Sequence, residues 1–436
     1  MSNGVKSFAD IFQIPELKKK VLFTFLIVVI YRLGGHITTP GINVGRLIEW
    51  FGQQQNTLFG LMDMFVGGGL QRATIFALGI MPYISSSIIF QLLPPVFPYF
   101  EKLQREGEEG RKRINQYTRY GTVVLSFIQS VGMAAFLQNL GAVSMDNLWL
   151  FRVTTVITLT TGAVFVMWLG EQITDRGVGN GMSLLIFFGI IDRFPNGVFQ
   201  TIEMIRNDVI SIIAMVLVLV VMIAIVAGVI VMTLGTRKIP IQIPKRMVGR
   251  KVLGGQQTHL PLRINSAGVM PIIFAQSIIV VPATLSTFLA PGSWLEDIGR
   301  YFQPSTNSYI FFYTLLIIFF TYFYTAVIFN PVDLAENFKR QGGFIPGIRP
   351  GARTAEYIDR VLTRITLPGS IFLAAIAILP IYMYRLINVP FYFGGTSLLI
   401  VVGVALDTIQ QIESHMLMRH YDGFMKKGRI PSRRFS

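Results

Sequence analysis

Residues 59–94 read FGLMDMFVGGGLQRATIFALGIMPYISSSIIFQLLP, and the rest of the chain is organised around them. The stretch opens with an apolar piece, residues 59–66, followed by Gly67-Gly68-Gly69 as a hinge and then Gln71 and Arg72. A full apolar span begins around Thr74 and carries Pro82 in its interior. A hydrocarbon core roughly 30 Å thick takes about 20 residues of helix to cross, so the first piece enters without leaving, whereas the second crosses. Irregular backbone at membrane depth survives only where protein buries it or where it lines a cavity. The stretch therefore predicts a cavity in the membrane with a short, glycine-hinged element lodged in it, which is a channel-like signature.

Composition agrees. The chain has 436 residues, 52% hydrophobic and 14% charged, with mean hydropathy +0.55. Soluble proteins carry about 25% charged residues, so this is a membrane protein. It has no cysteine, which excludes a disulfide framework, a thiol nucleophile and a Cys-ligated metal. The first apolar run follows Lys18-Lys19-Lys20, has full length and lacks a small-residue cleavage site, so no cleavable signal peptide is expected.

Outward from the opening stretch, apolar runs predict ten spans, at about 21–37, 74–93, 122–137, 153–168, 182–191, 209–234, 267–289, 310–329, 365–386 and 396–404. The last continues as an amphipathic helix through Ile412, and helix is expected to stop before Pro195 in the fifth. Between the sixth and seventh spans, Ile239, Ile241 and Ile243 alternate and are broken by Pro240 and Pro244, which favours an extended ribbon. Ten spans return both termini to one side. Thirty of the 38 Lys and Arg lie in the termini and loops of that side, while the opposite loops hold Arg46, Arg72, Arg193, Arg206, Arg300 and Arg385. The positive-inside rule makes that side, and both termini, cytoplasmic.

The expected fold is all-α and polytopic, with two five-helix halves, 1–205 and 206–436, around a central pore. Spans 2 and 7 each sit second in their half, follow an unusual loop and contain proline. Five spans per half, an odd number, make the repeat inverted in the membrane. The second half carries two long basic loops, 236–265 and 331–364.

Several strings resemble one family: IFALGIMPYISSSII from Ile75, REGEEGRKRINQYTRYGT from Arg105, WLGEQITDRGVGNGMS from Trp168, GGFIPGIRPG from Gly342 and VPFYFGGTSLLIVV from Val389. They are similar, in order and over nearly the whole chain, to bacterial SecY, the channel subunit of the Sec protein translocase. The resemblance implies a conduit for unfolded polypeptides in the cytoplasmic membrane, closed by a plug and a hydrophobic constriction and able to open sideways to lipid. It implies a plug over 59–70, including Phe59, Leu61, Met62, Met64 and Phe65. It implies a pore ring of Ile80, Ile84, Met182, Ile186, Ile273 and Ile400, where methionine replaces a more usual isoleucine and softens the ring. Spans 2 and 7 resemble the faces of a lateral gate. Arg349 and the loop tip at Arg250 and Lys251 resemble contacts for a motor ATPase or a ribosome. Expected partners are the SecE and SecG subunits, the SecA motor, the ribosome with its RNA, signal sequences, nascent polypeptides and the lipid bilayer.

The chemistry of those positions is coherent. A pore that passes any side chain yet blocks ions needs a ring that dewets when empty and makes no strong bond to a passing chain. A single membrane isoleucine ordinarily faces lipid or packs against helices, so the resemblance singles out these positions. Gln91, Asn180 and Gln276, with Ser85, Ser86, Ser87 and Ser277, form a polar set on spans 2, 5 and 7. Such residues face protein or water, as ordinary interhelical hydrogen bonds or as a clasp that holds the gate until a signal helix competes. Topology accounts for most of the loop cations; those clustered at 237–251 and 349–364 suit RNA phosphates or an acidic protein patch.

Other chemistries find little support. There is no GxxxxGK[ST] nucleotide motif, and Gly177, Gly179 and Gly181 follow a span and read as a turn. The four histidines are scattered, and neither a metal nor another cofactor is expected. Asp63 reads as solvated or headgroup-adjacent, and no catalytic set appears. The principal rival is a secondary transporter, which also uses broken helices and inverted repeats but normally needs an ionisable ligand mid-span. The centres of these spans have none.

Overall fold

The structure is a computed structural model that describes residues 14–53, 58–208, 210–242, 246–248, 251–253, 257–288, 306–340, 342–387 and 395–427. Each of the ten expected spans contains a helix. In the first half they are α1 (Pro15–Gly34), α4 (Met81–Leu92), α6 (Glu108–Asn139), α7 (Leu148–Arg176) and α8 (Gly181–Arg206). Short helices α2 (Val44–Gln53), α3 (Leu58–Phe65) and α5 (Pro98–Arg105) connect them. In the second half they are α9 (Ile212–Leu234), α10 (Met270–Phe288), α11 (Asn307–Ile328), α13 (Ala352–Ile387) and α14 (Gly395–Lys427), with α12 (Pro331–Arg340) between α11 and α13. Among the described residues, seven helical segments are long and apolar enough to cross a bilayer by themselves. Their starts are chemically marked: Asn147, Ser211 and Thr306 each cap a helix by accepting from its first-turn N–H groups.

Two expectations need correction. The second span does not become helical at Thr74. Its helix begins at Met81, so Pro82 stands in the first turn, where a missing N–H costs nothing and the fixed φ suits the helix. Twelve residues of helix reach only about 18 Å, and residues 66–80 complete the passage as turns. Those turns are stitched by Thr74 N–H to Gly69 O (2.9 Å), Ile75 N–H to Ile37 O (2.9 Å) and Thr39 N–H to Ala73 O (2.9 Å). Leu70, Ala73, Phe76, Ala77 and Leu78 bury the segment in protein, the condition under which irregular backbone is tolerated at membrane depth. The fifth span, in turn, does not stop before Pro195. Helix α8 runs through the proline to Arg206, at the cost of the hydrogen bond Pro195 cannot give to the Ile191 carbonyl.

Packing separates the helices into two sets. Within the first, α1 lies on α7, α4 on α6, and α7 on both α6 and α8; within the second, α9 lies on α14, α10 on α11, and α13 on α11 and α14. The main contacts joining the sets run along two seams, α4 and α6 against α10 on one side and α8 against α14 on the other. The largest apolar cluster lies between them and draws side chains from both sets.

The ribbon expected after the sixth span is present. Strands β1 (Thr236–Gln242) and β4 (Gln257–Arg263) pair antiparallel, with Ile239 opposite Leu260, and β2 (Arg246–Val248) pairs with β3 (Lys251–Leu253) beyond them. Gln242 then exchanges both backbone hydrogen bonds with Phe344 (2.9 and 3.0 Å). Ile239 and Leu262 share a core with Ile345, Ile358 and Leu362. The two long basic loops are therefore one body, rooted on the start of α13.

Candidate functional site

The aliphatic positions converge where the two sets meet. Ile80 is the N-cap residue of α4 and Ile84 lies one turn on; Ile186 comes from α8 and Ile273 from α10. With Phe65, Val66, Met81 and Gln276 they enclose a void of about 10 Å³, near the minimum that admits a single water. Ile400, on α14, is fully buried in the same cluster. Met182 packs against the same cluster and also against α7. A Cβ on Gly170 of α7 would fall 2.4 Å from its Sδ, so the flexible thioether fills the notch that glycine leaves.

The half-inserted piece is helix α3, which carries Phe59, Leu61, Met62, Met64 and Phe65. It packs on α8. Phe65 and Val66 face the void, and Met64 Sδ accepts a hydrogen bond from Ser397 Oγ of α14 at 3.5 Å. The glycines behind it form a seat as well as a bend. Gly67 has φ +65°, and a Cβ there would meet Gly189 Cα of α8 at 3.2 Å. A Cβ on Gly189 would in turn lie 2.7 Å from the Phe65 carbonyl. Two backbones touch at this point.

Asp63 is not in solvent. It is buried, its carboxylate pairs with Arg193 of α8, and it accepts the Gln71 N–H at 2.8 Å. An isolated carboxylate would be too costly at that depth; the arginine makes the burial possible.

The three polar gate candidates are not gathered. Gln91 donates to Ser87 of its own helix at 2.8 Å. Asn180 is exposed and caps α8 by accepting from Ser183 N–H at 3.2 Å. Gln276 is buried, lines the void and shares a hydrogen bond with Tyr309 of α11. Ser86 donates to Thr118 O at 2.8 Å and ties α4 to α6. Across the seam between α4 and α10, Ser277 Oγ reaches Met81 Sδ at 3.9 Å, a weak contact. That seam rests chiefly on apolar packing.

On the ribbon side of the void lies an open polar vestibule of about 430 Å³, lined by Asn180, Arg263, Asn265, Asp407, Gln410 and Ser414 among others. Val269 and Val404 also line it, and Ile273 and Ile400 follow one helical turn away, about 6 Å. A wide polar mouth thus narrows within roughly one turn to an apolar waist stopped by a short helix.

The SecY family model matches residues 74–409. Protein translocase subunit SecY of Pseudomonas aeruginosa is 47% identical over 96% of this chain and 95% of its own. The chain belongs to the SecY family. Its fold agrees with two solved channels. One is a SecY structure in which the plug domain is described as stabilising the closed state of the translocation channel and maintaining a membrane seal (TM-score 0.66, 18% identity, 91% of this chain and 92% of the other). The second is canine Sec61 in a ribosome–channel complex from the endoplasmic reticulum (TM-score 0.63, 17% identity, 91% and 92%). Like its SecY relatives, the chain is a multi-pass protein of the bacterial inner membrane and a channel subunit, not an enzyme.

Of the basic SecY-type positions, Arg349 is exposed in the turn before α13, where its carbonyl accepts from Thr354 Oγ1 at 3.0 Å. Lys251 begins β3, and Arg250 lies outside the described residues. Sequence reading missed Arg193 and Gly189. Both stand on α8, Gly189 within the expected fifth span and Arg193 just beyond its end; the Asp192–Arg193 pair interrupting an apolar run was the available signal.

Proposed function

We propose that this SecY-family chain moves unfolded polypeptides from the vestibule through the waist and releases transmembrane segments sideways between α4 and α10. The void of about 10 Å³ ringed by Ile80, Ile84, Ile186 and Ile273 carries the reading. It is too small for a hydrated ion, Gln276 is the one polar side chain among its lining residues, and branched aliphatic side chains can part around a chain of any sequence. Helix α3 is the plug, with Phe65 and Val66 against the waist. Ile400 completes the ring, and Met182 borders it through α7. Gln91 and Gln276 flank the lateral gate; Asn180 serves the vestibule.

In this reading the halves 1–205 and 206–436 are inverted repeats, and both termini, the vestibule and the ribbon body face the cytoplasm. Lysines and arginines of that body, with Arg250, Lys251 and Arg349 foremost, receive the SecA motor or ribosomal RNA. SecE and SecG complete the assembly. Signal sequences and nascent polypeptides are its substrates, and the bilayer accepts what leaves through the gate.

The test is reconstitution with the motor ATPase and a secretory precursor. Protease-protected precursor inside the vesicles is expected. Uptake of a small solute with no protected precursor would instead establish a secondary transporter.

A further inference from the structure

We propose that Arg193 is the positioning residue that clasps the plug shut, and that separation of Asp63 from Arg193 sets how readily the channel opens. This rests on reading 58–65 as a plug. Three features converge on the arginine. Its Nη2 donates to the Asp63 carboxylate within the plug helix and to Gln71 Oε1 of the connector at 3.0 Å. The plug root closes on itself around the same residue, through Gln71 N–H to the carboxylate Oδ1 (2.8 Å) and Gly68 N–H to the Asp63 backbone carbonyl (2.8 Å). Gly68, at φ +83°, leaves room for the guanidinium, which a Cβ there would approach to 2.6 Å.

The clasp is anchored and dry. The Arg193 and Asp63 side chains are only 12% and 6% exposed. The preceding residue, Asp192, pairs with Arg32 of α1, so a second ion pair holds α8 beside the clasp. Pulling the plug away while the site is dry leaves two buried charges uncompensated. Once water enters, the same charges attract far more weakly and each is hydrated. The clasp therefore resists small openings and yields abruptly to one that floods the waist. A plug held by apolar contact alone would leak in proportion to its displacement.

The experiment reads resting ion conductance in planar bilayers and export of precursors with defective signal sequences. R193Q and D63N are each expected to raise conductance by at least about tenfold and to admit the defective precursors. The charge-exchanged pair D63R/R193D is expected to return both readouts toward the parent. The chain has no cysteine, so D63C/R193C can be joined by a reducible bis-methanethiosulfonate spacer, which should stop translocation until reductant is added. Parental conductance in well-folded single variants, or translocation through the joined pair, would overturn the clasp. If the single variants do not fold, the joined pair decides. Failure of the unmodified channel to protect any precursor would instead refute the plug reading itself.

Discussion

The vestibule beside the ribbon encloses about 430 Å³ and presents Asn180, Arg263, Asp407 and Gln410 to whatever enters it. The waist next to it encloses about 10 Å³ and presents Ile80, Ile84, Ile186 and Ile273. The same helices build both, α8, α10 and α14, within little more than a turn of each other. Polarity thus changes over a distance shorter than one extended tripeptide, about 10 Å. Under the proposed reading, a chain entering the vestibule would keep its hydration and shed water and ions only at the ring. Selectivity would then be confined to one apolar layer, which can exclude small charges without choosing among polypeptides.

Removing that contrast should have the largest effect. Serine at Ile80, Ile84, Ile186 and Ile273 together would extend the polar vestibule through the waist. Conductance in planar bilayers is expected to rise by about a hundredfold as the constriction wets; an unchanged value would break the comparison. Gly189→Val comes next. Its added Cβ would sit 2.7 Å from the Phe65 carbonyl, which unseats the plug root while the ring stays intact. A conductance increase of about tenfold is expected, short of the serine variant.

On the vestibule side, Asn180→Ala removes a helix cap and should cost about 1 kcal/mol, measured by thermal unfolding in detergent, with resting conductance unchanged. Ser277→Ala is the mildest. Its contact with Met81 sulfur is 3.9 Å long, so stability should move by less than about 0.5 kcal/mol and signal-sequence stringency should hold. A marked loss of stringency would show that a polar contact, not apolar packing, holds the seam between α4 and α10.

The helices were legible because a bilayer imposes length and hydropathy on each span independently of the others. The ribbon was legible from Ile239 and Ile241 alternating with Pro240. Residues 74–80 were not. They are as apolar as a span, but the chain there is held in turns by backbone partners such as Ile37, which lie outside the local window. Asp63 and Arg193 are 130 residues apart, and each alone reads as a surface charge. Asn180 reads from sequence as a polar residue of the fifth span; that it stands one residue before α8 and caps it was not visible there. Local patterning marks elements; pairs that meet only after folding leave no trace in it.

Helix α13 is 36 residues long, about 54 Å. Near its start Ile358 and Leu362 belong to the ribbon body, while further on Leu373, Ala374 and Ile376 belong to the central cluster. One helix therefore joins the ribbon body to the central cluster, with Pro368 and Gly369 between its two ends, a pair that can bend a helix. A docked partner that pushes on the ribbon body would act on the central cluster through that joint. Mechanical work done at the surface would arrive in the membrane without any chemistry along the way.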